Sequence, residues 1–433
     1  METNKNKCIT AVIVGAGHRA ILYAEYALHN PEKLKIVGVV DPNPTRRKFV
    51  AKAHNLAKES CYSSIDELLS HPKVADAVIN GTMDNLHIQT TIPLLKAGYD
   101  VLLEKPIGVG REEVLELLSV AKSAGRTIQI CHVLRHAPFY AAIRERVANG
   151  DIGDILSVST QENVSYHHMA VSFVRGKWNN SDICNSTMLM AKSCHDLDLI
   201  TWMKSGIKPK FVSSFGNRMY FREDKAPEGA GTRCLVDCKI EKTCPYSCYK
   251  NYIEQGLWAH YVWDTIEDQG NDILGKDIPI EKKIESLKSE QNPHGRCVWH
   301  CDNNVVDHQV VAVEFEDGST ATHSLTGNTS KPCRYMKLIG TKGEIEGVME
   351  DGYFVIRHPD ARKGHEYSEE KITIDVTHEM HGGGDLHLVE DFVNVLQGNK
   401  PSISTTSLED SINGHLIGFA ANESNDFRKV VMC

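Results

Sequence analysis

No stretch of the 433-residue chain approaches the roughly 20 consecutive apolar residues that a membrane span needs. The opening METNKNKCITAVIVGAG has lysines but only a short apolar run ending in glycine. The long apolar core and cleavage site of a secretory signal are missing, and a cytoplasmic protein is expected. Dense basic runs are absent too: Arg46, Arg47 and Lys48 form one short cluster, and 57 acidic against 48 basic residues give a net charge of -9. That balance argues against a general nucleic-acid binder, which needs a surplus of Lys and Arg on some face. Neither an internal repeat nor a low-complexity tract interrupts the chain. Cysteine, by contrast, is plentiful. Its count of 13 is odd, and without a signal peptide the thiols are expected to be reduced rather than paired in a disulfide framework.

What remains is the composition of a soluble globular enzyme or binding protein, long enough for two or three domains. The first third alternates apolar strands with helices: CITAVIV, then a helix from His18 to Asn30, then KIVGVV, IDELL, DAVINGT, HIQTTIPLLKAG, DVLLEK, REEVLELLSVAKSAG and TIQICHV. Ser64 and Glu67 read as a capping box, and Gly98 and Gly125 as helix stops. This alternation predicts a doubly wound parallel sheet, an α/β Rossmann domain over residues 1–134. From there the texture changes. ILSVSTQENV and several strands after Phe211, with hairpin turns at Asp317-Gly318, Lys342-Gly343 and Asp351-Gly352, predict an α+β domain over 135–433 with a large open, mostly antiparallel sheet. An irregular, Cys-rich insertion at about 222–305 and two C-terminal helices complete it.

The segment VGAGHRA sets Gly15 and Gly17 directly after the first strand, with Ala20 at the small third position of a G-x-G-x-x-G/A fingerprint. Glycines there allow a tight turn and let a pyrophosphate sit on a helix N-terminus. The second strand ends in Asp41, where a carboxylate accepts from the ribose hydroxyls of NAD and repels the 2′-phosphate of NADP; Arg46 and Arg47 keep NADP as the lesser alternative. The fourth strand ends Glu104-Lys105-Pro106, directing Lys105 at the cofactor cleft, where an ammonium can stabilise alkoxide character.

VGAGHRA, TMDNLH, EKP and a later helix with a histidine followed by Asp-x-Asp together resemble the Gfo/Idh/MocA family of NAD(P)-dependent sugar and polyol oxidoreductases. The segments QENVSYHHMAVSFVRGKWNN, KSCHDLDLITW and GRCVWHCDNNVVDHQVV are similar to a longer branch of sugar or glycoside oxidoreductases. The resemblance implies cofactor contacts from Gly15, Ala16, Gly17, His18, Arg19, Asp41, Thr82, Asn85, His87, Glu104 and Lys105. It also implies that His195 works beside Lys105 on a substrate hydroxyl. Relatives carry an aspartate four positions before that histidine; here Ala191 stands there, followed by Lys192. Lys192 is therefore a third catalytic candidate, able to bind substrate or depress the histidine's pKa, unless it simply pairs with Asp196 at i,i+4. Sheet-to-sheet homo-oligomers are a further expectation from the resemblance.

Carbohydrate recognition calls for polar groups and aromatic platforms, and Arg135, Glu162, Tyr166, His168, Arg175, Trp178, Lys192 and Asp196 are the candidates. The expected reaction is hydride transfer between a carbohydrate CH–OH and nicotinamide. The alternatives are a glycosidase that oxidises, eliminates and re-reduces with retained NAD, and a non-catalytic sugar or dinucleotide sensor. Cys234, Cys238, Cys244 and Cys248, with Cys297, His300 and Cys301 nearby, suggest zinc, but their spacing fits no standard knuckle and the metal stays unassigned, below plain thiols.

Overall fold

The computed structural model describes residues 7–263, 278–375 and 380–433. Its first sheet holds six parallel strands: β1 (Ile9–Val14), β2 (Leu34–Val40), β3 (Cys61–Tyr62), β4 (Ala77–Asn80), β5 (Asp100–Leu103) and β6 (Ile128–Ile130). Their order is β3-β2-β1-β4-β5-β6, the doubly wound arrangement in which the strand order reverses between β1 and β4. These strands are buried almost throughout because helices cover both faces. Local signals end the helices: Ser64 accepts from the Glu67 N–H, Gly125 adopts φ +59°, and Gly98 stands at φ +87°. The glutamate half of the expected capping box differs, since Glu67 reaches the N–H of Ser63 at 2.6 Å rather than that of Ser64.

The second sheet has nine strands: β7 (Ile155–Ser165), β8 (Pro209–Asn217), β9 (His308–Phe315), β10 (Thr320–Thr329), β11 (Cys333–Gly340), β12 (Glu344–Val348), β13 (Tyr353–Pro359), β14 (Tyr367–Thr373) and β15 (Val431–Met432). The order is β14-β13-β12-β11-β7-β10-β9-β8-β15, and every pairing is antiparallel except β7 with β10. Hairpins turn where Asp317-Gly318, Lys342-Gly343 and Asp351-Gly352 place them. Along β9, Gln309, Val311, Val313 and Phe315 are buried and the alternate residues are not, so one face meets the core and the other is open. The covered face carries the Met188–Met203 and Leu408–Phe427 helices.

The C-terminal helices also serve the first sheet. Leu388, Val389, Phe392 and Val393 share a cluster with Ile13, Ala24 and Leu102, while Leu408 and Ile412 pack with Leu103 and Ile130. Within the irregular insertion, Cys234, Cys248, Tyr252, Val262, Trp263 and Leu287 make a small core of their own. The part of that insertion at 264–277 lies outside the described residues.

Candidate active site

The glycine turn after β1 is sterically determined. Gly15 has φ +78°, and a Cβ there would come within 2.7 Å of the Thr82 nitrogen. Ala20 is small because Gly81 approaches it: a Cβ on Gly81 would stand 2.8 Å from that of Ala20. Gly17 caps the His18–His29 helix without a side-chain hydrogen bond, leaving its first N–H groups open to an anion. Asp41 is buried at the end of β2 and accepts from Ala16 N and Asn43 N, both at 2.8 Å, so it also braces the glycine turn. Gly15, Ala16, Gly17, Asp41 and Thr82 make up this cradle, His18 opens the helix behind it, and Asn85 lies on the Asp84–Leu86 turn; the cradle has the form that receives a dinucleotide.

Three members of the expected cofactor set, Arg19, His87 and Glu104, are differently employed. Arg19 turns inward to Glu104, Tyr23 and Asp385. His87 is buried with its ring nitrogens against Pro106 O at 2.6 Å and Thr82 O at 3.1 Å. Arg19 and His87 are thus structural ties rather than free side chains. Glu104 likewise accepts from Arg19, Tyr23 and, at 2.6 Å, the N–H of Lys105. Burial pushes its carboxyl up, but Arg19 and Lys105 outweigh that, and it sits below the ordinary range.

The Met188–Met203 helix is buried at 15 of its 16 residues, Lys192 being the partly exposed one. Lys192, Asp196 and Asp198 each find a partner from another element, although burial still pushes the Asp196 carboxyl up to about 7. Lys192 pairs with Glu162 at 3.1 Å, Asp196 with Arg334 at 3.2 Å, and Asp198 receives two bonds from Arg135 at 2.6 and 2.7 Å. The i,i+4 pair between Lys192 and Asp196 does not form. Glu162 accepts a second cation, Arg334, at 2.6 Å, and so links both pairs.

Lys105 leaves the end of β5 and donates to Ala191 O at 2.7 Å, one helical turn before His195. His195 is 4 % exposed, with the rings of His132 and His381 centred 5.7 and 5.8 Å away. Burial first, and then the Lys105 ammonium, hold its pKa well below 6.5. The nearby cation that does this is Lys105, with lesser help from His132, His381 and Arg334, rather than Lys192. A neutral imidazole beside an ammonium is a base paired with an oxyanion stabiliser.

The expected carbohydrate contacts divide. Glu162, Lys192 and Asp196 belong to the network at His195, and His168 lies beside it, its pKa held far down by burial and then by Lys192. Trp178 donates to Asp84 at 3.1 Å. Tyr166 packs edge-on against Tyr246. Arg135 and Arg175 are scaffold. Arg135 is fully buried between Asp198 and Asp410, and Arg175 anchors the insertion through Arg296 O, Tyr246 O and Tyr252. All 13 cysteines are free, and among the described residues no group of three or more His, Cys, Asp or Glu is placed to hold a metal.

Arg334 and His381 were not among the candidates. Arg334 had a sequence signal: in CRYMKLIG it alternates with Met336 and Leu338, so a charged residue falls on the core face of a strand. Trp258, His260 and Tyr261 of the insertion pack against His18 and His168. His260 stacks on His18 at 3.8 Å and Trp258 on His168 at 4.3 Å.

Residues 9–132 match the Gfo/Idh/MocA oxidoreductase family, NAD-binding Rossmann fold. The parallel-sheet domain is similar to the NAD-binding domain of that family. YteT of Bacillus subtilis, named for an oxidoreductase, is 27 % identical over 374 residues, 82 % of this chain and 81 % of YteT. The bovine trans-1,2-dihydrobenzene-1,2-diol dehydrogenase is 30 % identical over 186 residues, 42 % of this chain and 52 % of that protein. The apo structure of scyllo-inositol dehydrogenase from Lactobacillus casei superposes with a TM-score of 0.63, at 17 % identity, over 99 % of each chain. At that identity the likeness speaks for the fold alone, the second sheet included. Among the described residues no helix is long and apolar enough to cross a membrane.

Proposed function

We propose that this oxidoreductase moves a hydride between a carbohydrate or polyol CH–OH and NAD, with His195 and Lys105 as the catalytic pair. The observation that carries the reading is the buried, neutral His195 beside the Lys105 ammonium, at the carboxyl end of the parallel sheet that forms the glycine cradle. Bound NAD supplies the hydride acceptor at nicotinamide C4. His195 takes the hydroxyl proton, and Lys105 donates to the same oxygen while it carries negative charge, leaving a carbonyl. Lys192, tied to Glu162, positions the network rather than reacting. Asp41 at the ribose end favours NAD over NADP. The names of the diol and inositol dehydrogenases support a polyhydroxy substrate.

Copies of the chain are proposed to associate through the open face of the nine-stranded sheet, where the cross-strand neighbours Phe215 and Val310 are 56 % and 50 % exposed.

His195→Ala and Lys105→Met test the reading. Each is expected to lower kcat/KM for polyol oxidation by about 10²–10⁴-fold, with NAD affinity within a few-fold of wild type. Released aglycone is recorded beside reduced nicotinamide, so that a redox-cycling glycosidase would be seen as aglycone without net NADH. Unchanged turnover in His195→Ala would remove the catalytic assignment.

A further inference from the structure

Arg175 is a buried guanidinium, 1 % exposed, and among the described residues no carboxylate pairs with it. Its Nε donates to Arg296 O at 2.7 Å, its Nη1 to Tyr252 Oη at 3.0 Å and its Nη2 to Tyr246 O at 2.8 Å. Those acceptors are neutral. The remaining neighbour is a thiol: Nη2 also lies 3.5 Å from Cys234 Sγ. A buried cation is costly without an anion beside it, and the group that can supply one here is Cys234.

Cys234 has a partner of its own kind. Its thiol is hydrogen-bonded to that of Cys248, and both sulfurs belong to the small core that the insertion builds with Tyr252 and Trp263. The bond from Cys248 first, and then Arg175, hold the Cys234 thiol well below its ordinary range, while the same bond and burial drive Cys248 up. Other buried thiols move only upward: burial pushes Cys194 up to about 12 and Cys297 up to about 11. Exposure also divides the pair, Cys234 keeping 7 % and Cys248 0 %. A thiolate beside a cation, with slight access to solvent and a second thiol within reach, is the setting of a reactive cysteine rather than of an inert buried one.

We propose that Cys234 and Cys248 are an oxidisable dithiol, with Arg175 as the counter-ion of the attacking sulfur and a peroxide as the oxidant. The Cys234 thiolate attacks one oxygen of hydrogen peroxide, the O–O bond breaks, hydroxide leaves, and Cys234 becomes a sulfenic acid. The Cys248 thiol then attacks that sulfur. The S–O bond breaks, an S–S bond forms, and the hydroxyl departs with the Cys248 proton as water. The two sulfurs have lost two electrons and the peroxide has gained them. A dithiol reductant reverses the bond by exchange. None of this requires the hydride chemistry proposed at His195.

The full-length chain, reduced and desalted without oxygen, is treated with hydrogen peroxide, quenched with iodoacetamide at intervals and mapped by peptide mass spectrometry. Cys234 is expected to lose its free thiol at least about tenfold faster than the buried Cys131 and Cys184, with a Cys234–Cys248 disulfide as the main product and both thiols recovered in dithiothreitol. Cys248→Ser is expected to stop at the sulfenic acid, trapped on Cys234 by dimedone, and Cys234→Ser to leave Cys248 unreacted. The wild-type rates decide even where a serine variant fails to fold. Cys234 reacting no faster than Cys131, or pairing instead with Cys238 or Cys244, overturns the proposal. So does the release of about one zinc per chain as the thiols oxidise, since the sulfurs would then be metal ligands.

Discussion

At His195 burial does chemical work. A histidine in water titrates near 6.5; here burial and then Lys105 hold it far lower, so the ring stays unprotonated and able to receive a proton through the neutral range. The sign follows: a depressed value means that protonation, and with it loss of the base, occurs only well below 6.5. The account predicts that kcat/KM, followed against pH at saturating NAD, shows no protonation limb near 6.5 in wild type. Lys105→Met removes the strongest nearby cation and is expected to move that limb upward, toward 6.5, along with the loss of rate. A wild-type limb at 6.5 would mean that His195 is not held as described. His195 and Lys105 were legible in the sequence because each sits in a short motif at a fixed place. Their partners were not. Lys192 lies four residues from Asp196, yet pairs with Glu162, thirty positions earlier on β7, a contact that only the packing of helix on sheet creates.

Among the elements, the glycine turn is the most constrained. Gly15 combines φ +78° with a Cβ path blocked at 2.7 Å by the backbone of Thr82. Gly15→Ala is therefore expected to cost about 1–3 kcal/mol from backbone conformation alone, lowering Tm, and to weaken NAD binding at least tenfold as the turn opens. Thermal unfolding and NAD titration read both, and an alanine variant with unaltered Tm and NAD affinity would contradict the cradle. The alternating strands and helices before residue 134 were legible because caps such as Ser64 and Gly125 act within a few residues of the ends they define. The insertion was not. Its order depends on distant bonds, such as those from Arg175 to Tyr246 O and Arg296 O, and neither a helical nor a strand period announces them. The same distance explains why Arg135 and Arg175, plausible sugar ligands by residue type, are buried struts.

On the scale of the whole molecule, the two sheets share their C-terminal helices. Leu388, Val389 and Phe392 complete the core of the parallel sheet, and Lys33 reaches Glu390 at 3.0 Å. A fragment of residues 1–134 would expose that surface. It is expected to aggregate or to unfold without a cooperative transition, as read by calorimetry; a soluble fragment with a sharp transition would show the shared helices to be dispensable. Sequence patterning located these helices but not what they pack on, because an amphipathic face does not name its partner. The shared core also holds the glycine cradle and His195 in one frame, through Arg19 bonded to both Glu104 and Asp385.

The central claim is that a hydride leaves a carbinol carbon for the nicotinamide within this frame. The most direct measurement is to incubate the protein with NAD and perdeuterated myo-inositol and glucose, and to examine the nicotinamide by mass spectrometry after single and multiple turnovers. The account predicts deuterium at nicotinamide C4 in wild type and at least a hundredfold less in His195→Ala. Oxidised product without deuterium in the nicotinamide would contradict it.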